Sequence, residues 1–178
     1  EISRKKLCYL VEGYTDVISM HQAGITNVVA SSGTSLTNEQ VEQLKRYTPN
    51  VTVLYDGDSA GIHASERGVD MLLAAGLNVK VLLLPNGEDP DSFARAHTAE
   101  EYISYIESHQ TDFIHFKVSH LMEETKGDPT KKAELIKNII STISVVQDTI
   151  LRTVYIQECS RMMGVDETTL FNALEQIL

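Results

Sequence analysis

Apolar and polar positions come in alternating blocks over the first 98 residues, short β-rich runs separated by stretches of helical spacing. Residues 7–11 form a compact apolar run that predicts a first strand. Residues 14–23 follow with helical spacing, and Gly24 is placed to close that helix. Residues 28–30 predict a second strand leading into the small-residue loop Ser31-Ser32-Gly33-Thr34-Ser35. Thr37 and Gln40 make a T-x-x-Q capping box for a helix reaching about Tyr47. Pro49 breaks it. Residues 51–55 then predict strand three, 59–75 a long helix stopped by Gly76, and 79–84 strand four, ended by Pro85. Strands alternating with helices predict a parallel sheet covered on both faces.

Beyond Thr98 the periodicity is helical only. Thr98 and Glu101 open a helix to about Ser108, and a second covers 112–125. Asp128, followed by Pro129 at the first helical position, starts a third to about Ile143. Ser144 and Gln147 predict a fourth that ends at Gly164, and Asp166 caps a last one. The expected architecture is α/β: a parallel sheet flanked by helices over 1–98, followed by an all-α bundle over 99–178.

Composition narrows the class. The 178 residues are 42% hydrophobic, enough for a packed core, and no apolar run has the length that spans a bilayer. The chain is expected to be cytoplasmic, without a membrane partner. Cys8 and Cys159 are too few for a disulfide scaffold or a zinc site, and Cys8 reads as a buried thiol. The opening Glu1-Ile2-Ser3-Arg4 reads as the start of an excised piece. Net charge is −10, from 15 basic and 25 acidic residues. A sequence-independent nucleic-acid binder displays a basic stripe, and none is visible here. Contact with nucleic acid therefore needs bridging cations or a basic surface supplied from elsewhere.

The placement of the acids is the informative feature. Glu12 follows strand one, Asp56 and Asp58 follow strand three, and Asp89 and Asp91 lie in the loop after strand four. The carboxyl ends of parallel strands line one crevice. Side chains two apart in an extended segment share a direction, so Asp56 and Asp58 can share a target, and Asp89-Pro90-Asp91 repeats that spacing. Two carboxylates ~5 Å apart repel by roughly 3 kcal/mol at an effective dielectric of 20. A crevice with five needs cations. All-oxygen donors select Mg²⁺, or Mn²⁺ in its place, and a pair of such ions suits in-line attack at phosphorus. Each acid taken singly also fits a turn or cap: Asp58 before the helix at Ser59, Asp91 before a short turn at 92–96. Gly33 and Thr34 fit either a phosphate contact or a tight polar turn, and Gly57 and Gly61 either ligand approach or helix–strand packing. The six histidines lack metal-ligand spacing, and Lys5 and Lys6, before strand one, belong at the opposite end of the sheet.

Four segments together resemble a known family. Val11-Glu12-Gly13-Tyr14-Thr15-Asp16-Val17 resembles an EGYxDV motif, Ala30-Ser31-Ser32-Gly33-Thr34-Ser35 an A-S-x-G-T loop, Tyr55-Asp56-Gly57-Asp58-Ser59-Ala60-Gly61 a YDGDxAG motif, and Leu84-Pro85-Asn86-Gly87-Glu88-Asp89-Pro90-Asp91 an LPxGxDPD motif. These are motifs of the Toprim domain as it occurs in bacterial DnaG-type primases. Ser59 departs from the Arg or Lys that many relatives carry after D-x-D. The resemblance covers the chain end to end and implies a Toprim catalytic domain over 1–98 and a helical subdomain of the RNA polymerase core over 99–178.

It also implies a reaction. A DNA-templated RNA primase makes short primers from NTPs on single-stranded DNA, with Mg²⁺ (Mn²⁺ can substitute), two ions being expected. Glu12 is then the general base or metal-activating ligand. Asp56 and Asp58 bind metal directly, Asp89 and Asp91 complete the second site directly or through water, and Gly33, Thr34 and Gly57 lie against phosphates. The zinc-binding, basic and helicase-binding domains of the family are expected outside these residues, so the replicative helicase is a partner through a part not present. The competing readings are another Toprim enzyme that cleaves DNA (a topoisomerase or nuclease) and a non-catalytic Toprim interaction module.

Overall fold

The computed structural model describes residues 1–31, 36–56, 60–85 and 87–178, with backbone alone for 60–65. Four parallel strands form the body of the sheet: β1 (Cys8–Val11), β2 (Val28–Ala30), β3 (Asn50–Tyr55) and β4 (Asn78–Leu83). Their order is β2-β1-β3-β4, with the two-residue β5 (Thr111–Asp112) at the far edge. The parallel α/β sheet expected from the sequence is therefore present.

Crossover geometry sets where the helices lie. Helix α2 (Tyr14–Gln22) leads from β1 to β2, and α3 (Asn38–Tyr47) leads back across β1 to β3. Right-handed crossovers in opposite directions lie on opposite faces. Helix α4 (Ala60–Ala74) continues in α3's direction to β4 and packs against α3, while α2 packs against α5 (Pro90–Ala96). Both faces are covered. Tyr9, Val11, Leu54, Leu82 and Leu84 enter one core cluster with Met20, Phe93 and Tyr102. The alternate residues Leu10, Val53 and Val81 are buried too, as strands of a doubly covered sheet require.

Some boundaries differ from expectation for local reasons. A short α1 (Ile2–Lys5) precedes the sheet, and the Leu7 N–H donates to the Ile2 carbonyl, so β1 begins at Cys8. The expected box at Ser144 and Gln147 is not the start of α9. Helix α8 (Pro129–Ser144) runs to Ser144, and Asp148 caps α9 (Thr149–Met163) by accepting from the Ile150 and Leu151 N–H groups.

Two compact units divide at Thr111 and Asp112. The first includes α6 (Ala99–His109), because Tyr102 and Ile106 enter the sheet's core even though strand–helix alternation has ended by Thr98. In the second, α7 (Phe113–Glu124), α8, α9 and α10 (Glu167–Ile177) pack mutually. Asp112 caps α7, and its other carboxylate oxygen accepts from the Tyr155 hydroxyl at 2.6 Å, tying α9 to the start of α7.

Candidate active site

In the order β2-β1-β3-β4 the chain turns one way after β1 and the other way after β3. The switch point lies between these neighbouring strands, the place where the carboxyl ends of an open parallel sheet generally leave a crevice. The register pairs Leu10 with Val53. Glu12 and Asp56, which leave β1 and β3, therefore stand on adjacent strand exits. Glu12 is exposed and Asp56 half-buried.

A carboxylate that the sequence reading did not select joins these exits to α5. Asp16 lies in the first turn of α2, where it accepts from the Gly13 N–H (3.3 Å) and from the Asp91 N–H (3.1 Å). Burial pushes its carboxyl above the ordinary range; the two backbone hydrogen bonds oppose that shift, and the charges of Asp89 and Asp56 reinforce it. Asp16, Asp56 and Asp89 thereby share one electrostatic neighbourhood, and Asp91 is tied to Asp16 through its N–H. The available signal was Asp16's place in the first motif; the contact that gives it meaning spans 75 residues.

Asp89 and Asp91 do not act as an extended D-x-D pair. Pro90 sits at the first helical position, so Asp89 becomes the N-cap of α5, accepting from the Ser92 N–H at 2.7 Å. The cap is thus Asp89 and not Asp91. Asp91 Oδ1 accepts from the Ser19 hydroxyl, and Oδ2 from Arg95 at 2.9 Å. The turn before the cap passes through Gly87 at φ +81°, where a side chain is strained. Below, Tyr102 reaches the Pro90 carbonyl at 3.4 Å; burial, then the charges of Asp16 and Asp89, raise its hydroxyl pKa. Gly33, Thr34, Gly57, Asp58 and Ser59 lie outside the described residues.

The donors present suit a hard divalent cation: all are oxygens, and at Asp16 burial first, then the charges of Asp89 and Asp56, disfavour the ionised form that a cation would favour. Among the described residues alone, no three acids already enclose an ion.

This fold and acid placement define a Toprim-like unit, and residues 9–94 match the family described as Toprim-like. Residues 114–168 match a second family, the DnaB-helicase binding domain of primase. The DNA primase of Clostridium acetobutylicum is 37% identical over 166 residues, covering 93% of this chain and 28% of that protein. A DNA primase domain from Pseudomonas aeruginosa superposes with a TM-score of 0.80 at 30% identity, over 97% of this chain and 57% of that one. A DnaG primase catalytic domain bound to ssDNA gives 0.78 at 32% identity, over 92% and 53%. Both family matches and these relatives support a fragment of a bacterial DnaG-type primase, a family that is generally metal-dependent. The chain spans well under a third of the curated relative's length. The expectation that every helicase contact lies outside these residues is not what the second match supports: that family falls within the helical unit.

Proposed function

We propose that this chain is the catalytic part of a DNA-templated RNA primase, in which a 3′-hydroxyl attacks the α-phosphorus of an incoming NTP and pyrophosphate leaves. The observation that carries the reading is that Glu12 and Asp56 leave adjacent strands at the switch point, with Asp16 under the charges of Asp56 and Asp89 and bonded to the Asp91 N–H. Mg²⁺ (or Mn²⁺), two ions being expected, would supply charge neutralisation on the phosphates and lower the pKa of the attacking hydroxyl. Glu12, exposed at the mouth, takes or orients the hydroxyl proton. Asp56 and Asp58 would hold an ion directly. Asp89 and Asp91 serve the second site, and Gly33, Thr34 and Gly57 approach phosphates. Positioning and electrostatics account for the rate, as in other phosphoryl transfers.

Single-stranded DNA is the template, in keeping with the ssDNA-bound relative. The match over 114–168 supports a contact between the helical unit and the replicative helicase. Two free, buried cysteines suit a cytoplasmic setting. DNA cleavage by a topoisomerase-like Toprim enzyme is not favoured, since the likeness over both units is to primases.

The test is Asp56→Ala and Asp58→Ala in a full-length primase carrying this sequence. Primer yield should fall by about 100-fold or more, with circular dichroism unchanged. Near-normal primer synthesis by either variant contradicts the assignment.

A further inference from the structure

Ser19 has no reason on its own helix to face the acids. A buried helical serine commonly returns its hydroxyl to the carbonyl four residues back. Ser19 is 8% exposed on α2, and its hydroxyl instead donates to Asp91 Oδ1, 72 residues away. One turn earlier on the same helix, Asp16 accepts the Asp91 N–H. From α6, the fully buried Tyr102 reaches the Pro90 carbonyl. The Pro90-Asp91 step is therefore held through its carbonyl, its N–H and its carboxylate by three side chains of two helices. Such a grip fixes direction. A carboxylate has about four lone-pair sites, so the bonds from Ser19 and Arg95 leave acceptor capacity that can face the crevice.

We infer that Ser19 and Tyr102 are positioning residues that aim the Asp91 carboxylate at the divalent-ion site and lock the loop after β4 to the helix that follows Glu12. The inference rests on the ion-dependent reading proposed above. Partners behind metal-binding carboxylates typically matter by 10–100-fold in metal affinity. The Arg95 pair is different in kind: Arg95's side chain is 69% exposed while that of Asp91 is 17% exposed, so this ion pair is solvent-screened and contributes little rigidity.

Mn²⁺ binding to the 178-residue chain, measured from the electron paramagnetic resonance signal of free Mn²⁺, tests this without catalysis. Ser19→Ala keeps the packing volume of α2 against α5 while removing the donor, and Ser19→Thr keeps the donor. Ser19→Ala and Tyr102→Phe should each weaken the Asp91-dependent Mn²⁺ site by about tenfold or more, with Ser19→Thr close to wild type and all circular dichroism spectra alike. Wild-type binding with both variants indistinguishable from it overturns the positioning role and leaves the ion site standing. A wild-type chain that takes up no Mn²⁺ at millimolar concentration removes the ion site, and the positioning role with it.

Discussion

Asp16 concentrates the electrostatics of the crevice in one side chain. It is half-buried, accepts two backbone hydrogen bonds that favour its charge, and still has its pKa raised, because burial and then the negative Asp89 and Asp56 outweigh them. A folded-state pKa above the ordinary 3.8 means the fold is favoured by Asp16 protonation. That contribution is fully present below the unfolded value and is lost as pH rises through the folded one. In a carboxyl-carbon NMR titration of the ion-free chain, the Asp16 midpoint should lie above 3.8 and move down when Mg²⁺ is added to saturation. A midpoint at or below 3.8 without ions contradicts the burial and neighbouring charges at Asp16, and one indifferent to Mg²⁺ contradicts the proposed cation site. Sequence alone does not single Asp16 out. Its place in the first motif is the one sequence signal; otherwise it falls where an acid complements any helix N-terminus, and the docking of α5 on α2 gives it its contact.

Helix caps separate structural acids from acids with a second use. Asp148 caps α9 on the surface of the helical unit, accepting from two N–H groups. Asp148→Ala should cost about 1 kcal/mol of stability, read as a shifted urea midpoint, and leave Mn²⁺ affinity unchanged. Asp89 makes the same kind of cap on α5, yet its charge also acts on Asp16 and Tyr102. Asp89→Asn keeps an acceptor for the Ser92 N–H, so its stability should stay near wild type while Mn²⁺ binding weakens. Equal Mn²⁺ affinity in Asp89→Asn and wild type reduces Asp89 to a cap. The elements show why local patterns were readable and others were not. The boxes at Thr37 and Thr98 are sequence-local, and both hydroxyls accept as their spacing predicts. Ser144 and Asp148 lie four apart, and whether α8 extends or α9 starts between them depends on packing within the bundle, where Val146 is buried. The D-x-D reading of Asp89 and Asp91 failed because it assumed an extended backbone where Pro90 and Ser92 initiate a helix.

At the scale of the molecule, each compact unit contains one buried thiol: Cys8 in β1 and Cys159 in α9. Burial pushes both up to about 12, reinforced at Cys159 by the negative Glu158 and Asp112. At pH 8 neither should react with a disulfide reagent until its unit opens, so Cys8→Ser and Cys159→Ser chains in urea report the opening of the two units separately. Fast native labelling of either thiol is inconsistent with these cores. Charge is the other whole-molecule property, and it opposes the proposed task. A chain of net charge −10 repels a polyanionic template, and a crevice of carboxylates repels it most at the point where chemistry has to occur. On the reading proposed above, divalent ions would reverse the sign locally, so that acids which repel nucleic acid in their absence would recruit it in their presence. The expectation is that fluorescence anisotropy shows no binding of a labelled single-stranded oligonucleotide at about 0.1 mM chain in EDTA and physiological salt. A weak, Mg²⁺-dependent increment should appear that Asp56→Ala removes. Submicromolar binding in EDTA, with affinity falling steeply with salt, requires a basic surface on these residues and contradicts ion-mediated recruitment.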